Sequence, residues 1–107
     1  MAPDLLLAEC GNVLWKQVRR GDIRPDQALQ AAQALAQSDV ELRPMRALLS
    51  LATELAIQIE HPAYDCFYLA LARLEGCDLV TSDERFLRKL EQNRNSAGVR
   101  SLSSFTR

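Results

Sequence analysis

Ligands for soft metals are scarce in this chain of 107 residues, which holds three cysteines and one histidine. Cys10, Cys66 and Cys77 are odd in number and widely spaced, and no CxxC pair occurs. With His61 as the lone histidine, a Cys/His zinc centre lacks ligands at workable spacing. The cysteines read as small core residues in a reducing compartment. Aromatic residues make up 6% of the chain, so alanine and aliphatic packing must fill the interior, which favours helices. Unbroken apolar runs are only a handful of residues long, too short to span a membrane. Met1-Ala2-Pro3-Asp4 puts no basic stretch ahead of an apolar one, so the expectation is a cytoplasmic protein without a secretory signal. A net charge of −1 carries none of the excess that marks a general nucleic-acid binder.

What is present suits a single domain over residues 1–107, with 48% hydrophobic and 25% charged residues. Its charge is unevenly spread. Residues 39–83 hold eight acids against three bases, whereas residues 84–107 hold two acids against six bases. An acidic centre suits divalent cations and a basic flank suits phosphates, although solvated helix faces give similar counts.

Helical spacing of Leu6, Cys10, Val13, Leu14 and Val18 predicts a first helix from Pro3-Asp4 to Arg20, closed by Gly21. Pro25 opens a second, to about Gln37, with Leu29, Ala32 and Leu35 or Ala36 inward. Val40 to Arg43 alternates as a short strand. Met45 to Ile59 comes next as a helix burying Leu48, Leu49, Ala52, Leu55, Ala56 and Ile59. His61-Pro62 breaks that helix, and His61 reads as a turn residue. A fourth helix is predicted over Tyr64–Glu75, a strand over Asp78–Thr81, a fifth helix from Asp83 to Glu91 capped by Ser82, and a last strand over Val99–Leu102. Trp15, Tyr64, Phe67 and Tyr68 fall at core or interface spacings. Helices alternating with short strands imply an α/β fold, helix-rich, with a small parallel sheet.

Two acids stand apart from this pattern. Asp65 falls in the first turn of the fourth helix, and Asp83 lies just past the carboxyl end of a strand. Ligands of α/β folds gather at the carboxyl ends of strands and the amino ends of helices. The two therefore share one rim in this prediction, and convergent carboxylates are what a Mg²⁺ or Mn²⁺ site is made from. Each acid taken singly also suits the amino end of a helix for purely structural reasons.

Pro3-Asp4-Leu5-Leu6-Leu7-Ala8-Glu9-Cys10-Gly11-Asn12-Val13-Leu14-Trp15-Lys16 resembles a helix motif of PIN-domain ribonucleases of the VapC-like toxin type. Tyr64-Asp65 with its Leu-Ala-Leu-Ala tail, and Thr81-Ser82-Asp83 with Arg85-Phe86-Leu87, resemble that family's next two motifs in order and spacing. The resemblance implies that Glu9, Asp65 and Asp83 are metal-binding and catalytic acids. It implies too that Asn12 steadies Glu9 and that Ser82 orients Asp83. Mg²⁺ or Mn²⁺ would be the cofactor, and RNA and a cognate antitoxin the partners. Lys16, Arg19, Arg20 and Arg85 would meet RNA phosphates, with Arg24, Arg88, Lys89 and Arg94 beside them, or form a soluble surface. The family opens with a hydrophobic strand ending in an aspartate, and Met1 stands after that point. The expectation is therefore an N-terminally truncated PIN-like fold with weak or absent metal binding.

Two functions are compatible with these residues. One is a metal-dependent endoribonuclease of toxin–antitoxin type, impaired by the missing strand. The alternative is a non-catalytic PIN remnant that binds an antitoxin or itself. A homodimer is expected in either case, because the first helix carries Leu5, Leu6, Leu7, Val13, Leu14 and Trp15 around much of its circumference.

Overall fold

A computed structural model describes residues 1–105, with the side chain of Phe105 left aside. The chain divides into two compact units, Met1–Arg43 and Pro44–Arg107. In the first, β1 (Ala2–Pro3) leads into α1 (Leu5–Arg19), then α2 (Pro25–Ala36) and β2 (Leu42–Arg43). β1 and β2 pair in parallel, Ala2 opposite Leu42 and Pro3 opposite Arg43. Pro3 has no N–H to give, and the ladder takes its donors from either side: Ala2 N–H to the Glu41 carbonyl and Asp4 N–H to that of Arg43, both at 2.9 Å. The start of the chain is thus a strand where a helical turn was expected.

Helix α1 packs on α2, with Leu5 buried and Leu6, Cys10, Leu14 and Val18 half-buried along one stripe. Val13, expected in that stripe, is exposed. The predicted inward face of α2 is not buried either: Leu29 is 68% exposed and no residue of the helix is enclosed. Leu7, Cys10, Leu14, Ala32, Leu35 and Ala36 line an open apolar groove.

The second unit carries the main core. A 3₁₀ turn, Met45–Leu48, precedes α3 (Leu49–Ile59), and the chain continues through α4 (Ala63–Glu75), β3 (Leu79–Thr81), α5 (Glu84–Gln92) and β4 (Val99–Ser101). Leu48, Ala52, Leu55 and Ile59 fall on one face at helical spacing and meet Cys66, Leu69 and Ala70 of α4. Phe86 and Leu90, one turn apart on α5, close the cluster. Leu49, predicted inside, is 55% exposed, whereas Leu48 beside it is buried. Strands β3 and β4 pair in parallel from Leu79 opposite Val99 to Thr81 opposite Ser101. The sheet is therefore two separate parallel pairs.

Two turns set the positions of β3 and of His61. Gly76, at φ 68°, ends α4 in the left-handed region and sends the chain into β3. Glu60, at φ 53°, ends α3, and Lys89 of α5 donates to its carbonyl at 2.6 Å. That bond ties α5 to the turn that holds His61. No helix among the described residues is long and apolar enough to cross a membrane.

Candidate metal centre

Pro62, at φ −53° and ψ 142°, is the extended residue that precedes α4, and helical geometry resumes at Ala63. Asp65 then falls in the first turn of α4, where the helix dipole favours a negative charge. The two residues stand four positions apart, and His61 Nε2 lies 2.7 Å from Asp65 Oδ2. The His61 side chain is 6% exposed against 42% for Asp65. Its ring packs on Phe86, centroids 4.9 Å apart and planes tilted by 35°. Nδ1 is buried and has no hydrogen-bond partner.

Asp83 reaches the same place from the other side. It comes after β3, takes an extended conformation, and caps α5 by accepting the backbone N–H of Phe86 on Oδ1 at 3.0 Å. Its own N–H donates to Thr81 Oγ1 at 3.1 Å. The cap was expected from Ser82. The helix starts one residue later, so Asp83 is the residue whose side chain reaches the third helical N–H. The hydroxyl that positions Asp83 belongs to Thr81, and Ser82 makes no hydrogen bond among the described residues.

One ligand atom each from His61, Asp65 and Asp83 lies within 4.8 Å of the others. Among the described residues neither carboxylate is paired with a lysine or arginine. Two anionic oxygen donors at this separation, with open coordination space on the exposed side of Asp83, fit a hard divalent cation that keeps several waters. Cys66 is not part of the donor set. Burial, and after it the charge of Asp65, push its thiol up to about 11, so it stays protonated and packs in the core. Cys10 is half-buried, whereas Cys77 is exposed and does not serve the interior as expected.

The other predicted residues lie elsewhere in the chain. Glu9, half-buried, and Asn12, exposed, stand one turn apart on α1 in the unit Met1–Arg43. Lys16, Arg19 and Arg20 are exposed at the end of that helix, with the Arg19 guanidinium 5.0 Å over the Trp15 ring. Arg24 pairs with Asp26 at 3.1 Å. Arg85 and Arg88 are exposed on α5 and line a shallow groove with Lys89 and Gln92. The structure thus brings Asp65 and Asp83 together and adds His61, which sequence reasoning took for a turn residue. No spacing signal marks it, because His61 and Pro62 precede α4 and their separation from Asp65 is not a helical one.

The profile of the PIN domain matches residues 1–91, and the chain is a member of the PIN-domain family. Within that family it is similar to Ribonuclease VapC3 of Pyrobaculum aerophilum, with 33% identity over 88 residues. The alignment covers 80% of this chain and 67% of that protein. No solved structure matches the chain.

Proposed function

We propose that this chain is the metal-dependent endoribonuclease of a toxin–antitoxin pair, a slow enzyme acting on single-stranded RNA with Mg²⁺ or Mn²⁺. The convergence of Asp65 and Asp83 carries this reading. A bound divalent cation would polarise a phosphoryl oxygen and make an attacking water more acidic. Asp65 and Asp83 would hold it, and Glu9 of α1 is the third acid proposed for the same site. Thr81 and the amino end of α5 fix Asp83, and His61 meets Asp65. Among the described residues two carboxylates converge here with one imidazole, a small set of acids that supports weak metal binding and slow cleavage. Lys16, Arg19, Arg20 and Arg85 are proposed to meet RNA phosphates. One family profile spans residues of both units, which supports treating residues 1–107 as one PIN-like domain.

The test is cleavage of single-stranded RNA in Mn²⁺, with and without EDTA, by the chain and by Asp83→Asn. Slow cleavage that EDTA stops and the substitution removes is expected. Cleavage indifferent to both would overturn the assignment.

One observation favours a second reading, a binding module that associates with an antitoxin or with itself and does not cleave. Leu7, Val13, Trp15, Leu29 and Leu35 are exposed on α1 and α2, an unusual amount of apolar surface for a small unit. Absence of any metal-stimulated cleavage, together with association that grows with concentration, would select this reading.

A further inference from the structure

The environment of His61 is more specific than a helix break requires. Its side chain is almost fully enclosed, its ring lies on Phe86, and its two nitrogens have opposite situations. Nε2 is 2.7 Å from Asp65 Oδ2, while Nδ1 is buried with nothing to bond. A proton on Nδ1 would be a buried donor without an acceptor, a costlier arrangement than a buried lone pair. The proton of the neutral ring therefore belongs on Nε2, where it is donated to the carboxylate.

We infer that His61 is a positioning residue for Asp65, holding one carboxylate oxygen by an Nε2–H···Oδ2 bond and so fixing the orientation of the group. Among the described residues Oδ1 of Asp65 has no partner, which leaves that oxygen for a divalent cation. Phe86 couples the two sides of the centre. Its ring supports His61, and its backbone N–H holds Asp83, so both carboxylates are set against one residue of the core. Carboxylates that ligate metals are themselves commonly held by hydrogen bonds, and losing such a partner typically weakens metal binding. The inference rests on the proposed role of Asp65 as a cation ligand.

Because His61 is the lone histidine, its tautomer can be read directly from long-range ¹H–¹⁵N correlations of the full chain. In the neutral ring, a protonated Nε2 and a bare Nδ1 are expected. The companion measurement is Mn²⁺ titration, monitored by calorimetry and by the spin-resonance signal of free Mn²⁺, on four proteins: the chain itself, His61→Phe, His61→Gln and Asp65→Asn. His61→Phe keeps a ring against Phe86 but has no donor, and should weaken Mn²⁺ binding by about 10–100-fold. His61→Gln keeps a donor and should restore most of the affinity. Loss of binding in Asp65→Asn with none in His61→Phe would overturn the inference while leaving Asp65 a ligand. Unchanged binding in Asp65→Asn would instead remove Asp65 from the site. Equal losses in the Phe and Gln variants, or a proton found on Nδ1, would also overturn the inference, since the bond and not the bulk of the ring is what it invokes.

Discussion

Asp83 Oδ1 accepts the backbone N–H of Phe86 at 3.0 Å, so the same carboxylate that is a candidate metal ligand also begins a helix. The two duties separate by substitution. Asn caps a helix about as well as Asp but carries no charge, whereas Ala does neither. Asp83→Asn should therefore keep the stability of the chain within a few tenths of a kcal/mol while losing Mn²⁺ binding, and Asp83→Ala should also cost about 1 kcal/mol. Urea unfolding of both variants checks this. Equal destabilisation would mean that the charge, and not the cap, holds the start of α5.

Phe86 is 1% exposed and lies under both sides of the centre. Phe86→Ala removes a large side chain from a small core and should cost about 3–5 kcal/mol. It should also release His61 from its packing. Thermal melting together with the imidazole NMR signals reads both effects. A variant that melts near the parent temperature would show that the core closes without this ring.

Cys66 supplies a prediction about alkaline pH. Its thiol has an ordinary value of 9.0 and is pushed up to about 11 in the folded chain. The unfolded chain therefore gives up this proton first as the pH rises. The contribution of the neutral thiol is complete below about pH 9, declines between 9 and 11, and amounts to about 3 kcal/mol at its full extent. Cys66→Ala should begin less stable, because it leaves a gap, but should lose less stability over this interval. Parallel alkaline slopes for the two proteins would show that the thiol is not held neutral by its surroundings.

Much of the second unit was legible because its helices bury a single stripe. Leu48, Ala52, Leu55 and Ile59 repeat at the helical period, and Gly76 marks the end of α4 as a left-handed residue should. Asp65 and Asp83 could be placed on one rim for the same reason, since both positions derive from local element ends. The strand Ala2–Pro3 could not be read this way. It is two residues long, and its only justification is a partner about 40 residues away in sequence. Leu29 was placed inside because periodicity tells which residues share a face, not whether anything covers that face. The role of His61 is hidden because proline does break the helix here: His61 and the extended Pro62 precede α4, and only the three-dimensional path of the turn sets the imidazole beside Asp65.

The exposed apolar residues of α1 give a prediction about association. Trp15 is the lone tryptophan and is 55% exposed, with Arg19 above its ring. If a second copy covers this helix, Trp15 emission should shift to the blue as concentration rises, and the melting temperature should rise with it. Trp15→Ser should weaken the association and leave the second unit folded. A monomeric mass by light scattering, with emission and melting constant over a hundredfold dilution, would exclude a homodimer.

Mn²⁺ titration of three proteins, the chain, Asp65→Asn and Asp83→Asn, tests whether the two aspartates form one cation site. One weak site in the parent, lost in each variant while the circular dichroism of all three remains alike, is the expected result. Equal binding by all three proteins would contradict it and would mean that the two carboxylates stand together for structural reasons alone.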